Sequence, residues 1–313
     1  MRVPSLIFGL CLLSATSVFA EKAIPIVYYS RAAPDYKRKP GPDGKPAAEY
    51  YALSYGGKID GTTWNDGFSK DDYPKIAGVV AEYLAKQNYF YATNAADAKL
   101  LLVLNWGQTL PANQGNFSQQ VNDLGAALNT MKDVLANAPA PPDTSSQEAA
   151  AGAAEQAAAQ QQAEQQAADA LNSALAGMEL ENSARDRRNE EIARILGYVD
   201  EMRNMSDLGG FAGTDRFTIM RNELEDPRFY IVLTAYDFKE ATQKGKRKIL
   251  WTSRISIDTR GNDFMGRMQQ MIARAANSFG ENTRRLVRER IGEVEIGEAI
   301  VVGTEDPDEA QKP

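Results

Sequence analysis

Between Gln147 and Ala170, twelve of 24 residues are alanine and seven are glutamine. Intrinsic propensity drives such a run into helix, yet it offers almost no bulky apolar surface to bury. A fold that contains it must build its core elsewhere. The segment is then either an exposed spacer or a helix whose small side chains let a partner approach closely. Around it the chain divides into two stretches of mixed strand and helix pattern.

In the first stretch, Ile24 to Tyr29 and Glu49 to Tyr55 read as strands, separated by a proline-rich loop from Arg31 to Ala48. Ile76, Val79, Val80, Tyr83 and Leu84 recur at helical spacing and predict a helix over Tyr73 to Gln87, with Pro74 in its first turn and Asp71 or Asp72 as its cap. Asn88 to Thr93 reads as a short aromatic strand. The apolar run Lys99 to Trp106 suits a central strand covered on both faces.

The second stretch opens at Arg228. Phe229 to Phe238 and Lys248 to Asp258 read as an antiparallel hairpin around the polar turn Lys239 to Arg247, with Ile249, Trp251, Ser253, Ile255 and Ile257 on one face. Asn262 is placed to cap a helix striped by Phe264, Met268, Met271, Ile272, Ala275 and Phe279, with Gly280 closing it. Glu281 to Ile291 reads as a charged helix and Val294 to Val302 as a last strand.

Neither stretch alone has enough strands and covering helices for a core. The expected fold is α+β, a mixed sheet with packed helices, built as one discontinuous domain from residues 21–107 and 211–303. An all-α insertion at 108–210, including the Ala/Gln segment 147–170, interrupts it. Two separate small domains are the competing arrangement. Within the insertion, Asn116 to Asn137 forms one amphipathic helix on Val121, Leu124, Leu128, Met131 and Leu135, ended by the prolines at 139, 141 and 142. Leu171, Leu175, Met178 and Leu180 restore apolar grip, and Ser183 to Met205 follows as a charged helix with Ile192, Ile195, Leu196, Val199 and Met202 on one side. The acidic tail 304–313 is expected to be disordered.

Residues 1–20 carry the pattern of a secretory signal: Arg2, an apolar core from Ser5 to Leu13, and small residues up to Ala20. Cleavage after Ala20 is expected, leading to a periplasmic or secreted chain. That apolar core is far shorter than the ~20 residues a membrane helix needs. Cys11 lies inside it with Leu10 before it, which disfavours a lipid anchor. Beyond Ala20 there is no cysteine, and the whole chain has no histidine, so packing alone must stabilise the fold. The net charge of −7 argues against nucleic acid as the main partner.

Without histidine, Ser-His-Asp and Cys-His catalysis and histidine-ligated zinc are excluded. Carboxylate chemistry or a serine-lysine dyad survives, and Asp60, Asp66, Asp71 and Asp72 crowd the loop after Gly56-Gly57; they are candidates for a glycosidase pair, although their type better fits helix caps and turns. Asp60, Asp66 and Asp71 supply oxygen ligands for calcium, but their spacing departs from the regular calcium loop. Tyr50, Tyr51, Tyr55 and Trp64 are candidates to line a small-molecule site, and Lys239, Lys244, Lys246, Arg247 and Lys248 form a basic turn. No cofactor motif is present, and no catalytic, cofactor or metal residue is assigned.

Ala96-Asp97-Ala98-Lys99-Leu100-Leu101-Leu102-Val103, and then Ala235-Tyr236-Asp237-Phe238 with Ile249-Leu250-Trp251, resemble a group of bacterial envelope α/β domains. The group includes outer-membrane lipoprotein domains, the amino-terminal domain of the Tol translocation protein and curli-secretion-type assembly domains. The resemblance spans residues 73–107 and 228–281 and implies a protein without a catalytic site. The expected function is therefore a non-catalytic exported envelope protein acting in binding or assembly, with the insertion as the element that meets a protein partner or a second copy, and with possible peripheral envelope contact. The alternative is a carboxylate-dependent hydrolase of an envelope polysaccharide.

Overall fold

A computed structural model of the chain describes residues 24–42, 44–64, 67–110, 114–138, 147–207 and 215–291. The signal-like residues 1–20, Asp66, the strand expected at Val294 to Val302 and the tail 304–313 lie outside them. The strands are β1 (Ile24–Ala32), β2 (Glu49–Gly57), β3 (Thr62–Thr63), β4 (Tyr89–Tyr91), β5 (Leu100–Thr109), β6 (Arg228–Asp237), β7 (Ile249–Asp258) and β8 (Val287–Ile291). The helices are α1 (Tyr73–Lys86), α2 (Gln114–Ala136), α3 (Gln147–Leu196), α4 (Val199–Asp207), α5 (Asp215–Glu225), α6 (Phe238–Gln243) and α7 (Phe264–Ala275).

The strands form one sheet in the order β4-β2-β5-β6-β7-β1-β8, with β3 paired to the end of β5. β2 runs parallel to β4 and β5, and the other pairings are antiparallel. The ladder from Leu100↔Asp237 to Gln108↔Phe229 joins the two α/β stretches into a single sheet. The fold is thus the expected α+β domain with long helices inserted between its strands.

Strand alternation sends side chains to two faces. On one face Tyr51, Leu102, Leu104, Trp106, Ile231, Leu233, Trp251 and Ile255 meet Ile76, Val80 and Leu84 of α1 and Met268, Met271 and Ile272 of α7. On the other, Val27, Tyr29, Tyr230 and Val232 are covered by Ile192, Ala193, Ile195 and Leu196 from the end of α3, by Tyr198, and by Met220 and Leu224 of α5. The inserted helices therefore complete the core. Their cover stops short of β5, where Leu101 and Val103 are only half-buried while Leu100, Leu102 and Leu104 are buried. That strand is central, but only one of its faces is fully packed.

Four further elements differ from expectation. The turn between β6 and β7 contains the short helix α6, and a register shift after Ala235 turns Ile249 out and Leu250 in. α7 is capped by Asp263, whose carboxylate accepts the Gly266 N–H at 2.7 Å, not by Asn262. Residues 287–291 form an edge strand on β1, not a helix: Arg288 reaches Glu223 on one face while Glu289 accepts the Tyr28 hydroxyl at 2.7 Å on the other. The expected helix Ser183 to Met205 also breaks at Gly197, whose φ is +86°. A Cβ there would lie 2.8 Å from the Tyr29 ring, so only glycine allows α3 to settle on β1.

If the end of α3 is core and its start is not, matched truncations will differ. Leu196→Ala should lower stability by about 2–5 kcal/mol, and Leu180→Ala, at a 72% exposed position earlier on the same helix, by less than about 0.5 kcal/mol, in urea melts. Equal losses would contradict this division of the helix.

Candidate functional site

The acidic loop after β2 is occupied by local structure. Asp72 accepts the Ser69 N–H at 2.7 Å and the Ser69 hydroxyl accepts the Asp71 N–H at 3.0 Å, a reciprocal cap on the 3-10 turn that leads into α1. Asp60 is exposed in the preceding turn. Among the described residues no three Asp, Glu, His or Cys side chains gather as a metal site.

The four aromatic candidates do not meet. Tyr51 is buried, and Tyr55 and Trp64 pack around Trp106, with the Trp64 indole stacked on it at 5.9 Å and donating to the Trp106 carbonyl at 3.1 Å. Tyr50, one position along β2, points to the opposite face beside Phe90.

A charged cavity of about 500 Å³ opens at the end of the sheet, lined among others by Asp35, Tyr36, Glu49, Lys99, Lys239 and Lys248. Its floor is satisfied: the Tyr36 hydroxyl donates to Glu49 at 2.6 Å, and burial, reinforced by Tyr89 and Glu49, holds that phenol far above its usual range. Lys248 pairs with Asp35 at 2.7 Å and Lys244 with Glu240 at 2.6 Å, so the basic turn is partly neutralised.

The feature left open to solvent is the hairpin of α2 and α3. The Gln160 carboxamide donates to the Val134 carbonyl at 3.2 Å, Gly177 lies against Gln120, and the Arg185 guanidinium sits 4.4 Å over the Phe117 ring. These three pairs run in opposite directions along the two helices, so the hairpin is antiparallel. A Cβ at Gly177 would collide with the Gln120 carboxamide, marking close approach of the helices. Buried Ala127 on α2 and Ala167 and Ala174 on α3 form the seam.

Rotating by about 100° per residue, Val121, Leu128 and Leu135 fall about 80–120° to one side of Ala127, and Leu175 falls about 100° in the same sense from Ala174. In antiparallel helices the same sense means the same side. Those four are 44%, 51%, 59% and 48% exposed, with half-buried Leu124, Met131, Leu171 and Met178 between them and the seam. The hairpin therefore presents an apolar face to solvent, its large side chains mostly on α2, with Glu164 set within it on α3. Its signal was already legible as the seven-residue spacing 121-128-135, alternating with 117-124-131; Phe117 is the member of that repeat that the helix reading omitted.

The arm is fixed to the body by a buried charge cluster. Glu225 of α5 accepts from Arg185 of α3 at 2.6 Å and from Arg221 at 2.9 Å, with Asn189 at 3.3 Å. Burial raises the Glu225 carboxyl, but hydrogen bonds from Arg221, Arg185 and Asn189 outweigh this and hold it below its usual value. Beside it, Arg288 of β8 bridges Glu223 at 2.8 Å and Glu201 of α4 at 3.4 Å. A depressed folded-state pKa stabilises above the unfolded value of about 4.3 and is lost as pH falls through the folded one. Glu225→Gln should therefore cost about 3 kcal/mol at neutral pH, since it strands the Arg185 guanidinium, which is only 11% exposed. The deficit should shrink as pH drops below about 4. A deficit independent of pH in denaturant melts would contradict the role of this carboxylate.

Among the described residues no helix is long and apolar enough to cross a membrane. No protein-family model and no curated protein matches the chain.

Proposed function

We propose that this chain is a non-catalytic, exported protein of the bacterial cell envelope that works in binding or assembly, with the α2–α3 hairpin as its contact element. The observation that carries this reading is the apolar face of Val121, Leu128, Leu135 and Leu175, which nothing in the chain covers among the described residues. An exposed apolar stripe rimmed by polar residues marks an interaction site on a water-soluble domain. Helix-on-helix contact suits it, because the large side chains recur at heptad spacing.

The body serves as a mount. α3 is continuous over 50 residues, about 75 Å at 1.5 Å per residue, and only its last turns lie in the core. A contact made along the arm is therefore delivered to the sheet through one rigid element. The resemblance to envelope assembly domains and the signal-like residues 1–20 support placing this contact in the periplasm.

The reading is tested by a photo-reactive side chain placed at Leu128 in cells and compared with one at Ala126, an exposed position on another side of α2. Cross-linked products from 128 and not from 126, recovered with the periplasmic fraction, are the expected result. Equal or absent products at both positions would overturn the hairpin as the contact element.

A further inference from the structure

We infer that the occupant of the hairpin's apolar face is a second copy of this chain, the two hairpins forming an antiparallel four-helix bundle about a two-fold axis parallel to the helices. This rests on the reading of the hairpin as a contact element and goes further by naming the partner.

Three observations favour the copy. The first is shape. The pairs Gln160 with Val134 and Gln120 with Gly177 set the levels of the two helices, which places Leu128 level with Ala168, and Val121 level with Leu175. An axis along the helices preserves level, so α2 of one copy meets α3 of the other with Leu128 against an alanine. The seam within one hairpin is alanine on alanine, Ala127 of α2 with Ala167 and Ala174 of α3, whereas the open face carries the large side chains Val121, Leu128 and Leu135 on α2 and mostly smaller ones on α3. Large side chains on α2 level with small ones on α3 complement each other across such an axis, so one copy covers both halves of the other's face.

The second is charge. Over residues 114–136 and 147–182 the sequence has eight acidic residues and one basic residue, Lys132. Asp133, Glu155 and Asp169 fall on the side away from the apolar face by the same rotation. Lys132 lies at the rim of that face on α2 and is level with Glu164 on α3, whose carboxylate accepts from the Gln160 carboxamide at 2.8 Å. The two-fold axis brings Lys132 of each copy beside Glu164 of the other, so the lone cation is used twice; the one further carboxylate on that side, Glu179, falls about 140° from Ala174, at the rim of the face.

The third is area. α2 has 23 residues, about 35 Å at 1.5 Å each, and two helices are about 20 Å wide, giving about 700 Å² per copy. The total of about 1,400 Å² lies within the range of about 1,200–2,000 Å² typical of stable specific interfaces.

The test is the light-scattering mass of the purified chain from Glu21 onward across a concentration series. The expected result is a dimer that falls to monomer with Leu128→Glu and persists with Leu180→Glu, a 72% exposed position on the opposite side of the hairpin. Far-UV circular dichroism should match the parent in both variants, which separates a lost interface from a lost fold. Lys132→Glu should raise the dissociation constant about tenfold, and adding Glu164→Lys in the same chain should restore it to within about threefold. A monomer up to about 1 mM, or a dimer indifferent to Leu128→Glu, overturns the second copy as occupant. Position 128 that still cross-links to other proteins in cells would then leave the contact role of the hairpin standing, whereas silence there would remove both.

Discussion

The pairing of β5 with β6 is the interaction on which the remaining structure depends. It is a nine-step antiparallel ladder, Leu100↔Asp237 to Gln108↔Phe229, between strands that the whole helical insertion separates in sequence. Among the described residues it is the one strand pairing that links β4, β2 and β5 to β6, β7 and β1, and it sets β4 and α1 beside β7 and α7, where Tyr89 packs on Trp251 at 5.7 Å. Closing so long a loop costs entropy, but the cost grows only by about 0.6 kcal/mol per doubling of length. The insertion also returns the chain to its starting point. Phe117 at the start of α2 meets Arg185, Arg185 meets Glu225, and the Arg228 N–H donates to the Thr109 hydroxyl at 2.9 Å, tying the last residue of β5 to the first of β6.

This geometry gives α3 two physical regimes along one helix. From Ile192 to Leu196 its branched side chains are core, pressed on β1 and β6. From Gln147 to Ala170 the same helix offers alanine and glutamine, and its main packing partner is α2. Stability thus resides in the body, while the arm keeps its helix by propensity, by one seam, and by whatever covers its open face. The same element is core at one end and solvent-facing at the other, which is the geometry that the proposed contact role requires.

How much of this was readable from the chain depended on whether the signal was local. β5, β6, β7, α1 and α7 were legible because their apolar period is set by one packed face, as with Ile76, Val80 and Leu84. β8 was not: Arg288, Glu289 and Arg290 read as a salt-bridged helix, and only the free edge of β1 makes them a strand. Ile249 was misplaced because a register shift cannot be seen in an alternating pattern. The acidic loop held its ambiguity to the end, since aspartates that cap a turn and aspartates that share a proton look alike in sequence; the Ser69–Asp72 reciprocal bonds show the capping role. The hairpin was half-legible. Its helices followed from composition and spacing, but which leucines would stay exposed required the antiparallel seam at Ala127 and Ala174.

The most direct measurement of the central claim is residue-resolved hydrogen exchange along α3, made on the Leu128→Glu chain so that pairing of arms adds no protection. Amides from Ala193 to Leu196 should exchange only through global unfolding, and those from Ala150 to Gln165 orders of magnitude faster through local opening. Uniform protection along the whole helix would contradict a body-anchored arm and mean that the Ala/Gln segment is stabilised as firmly as the core.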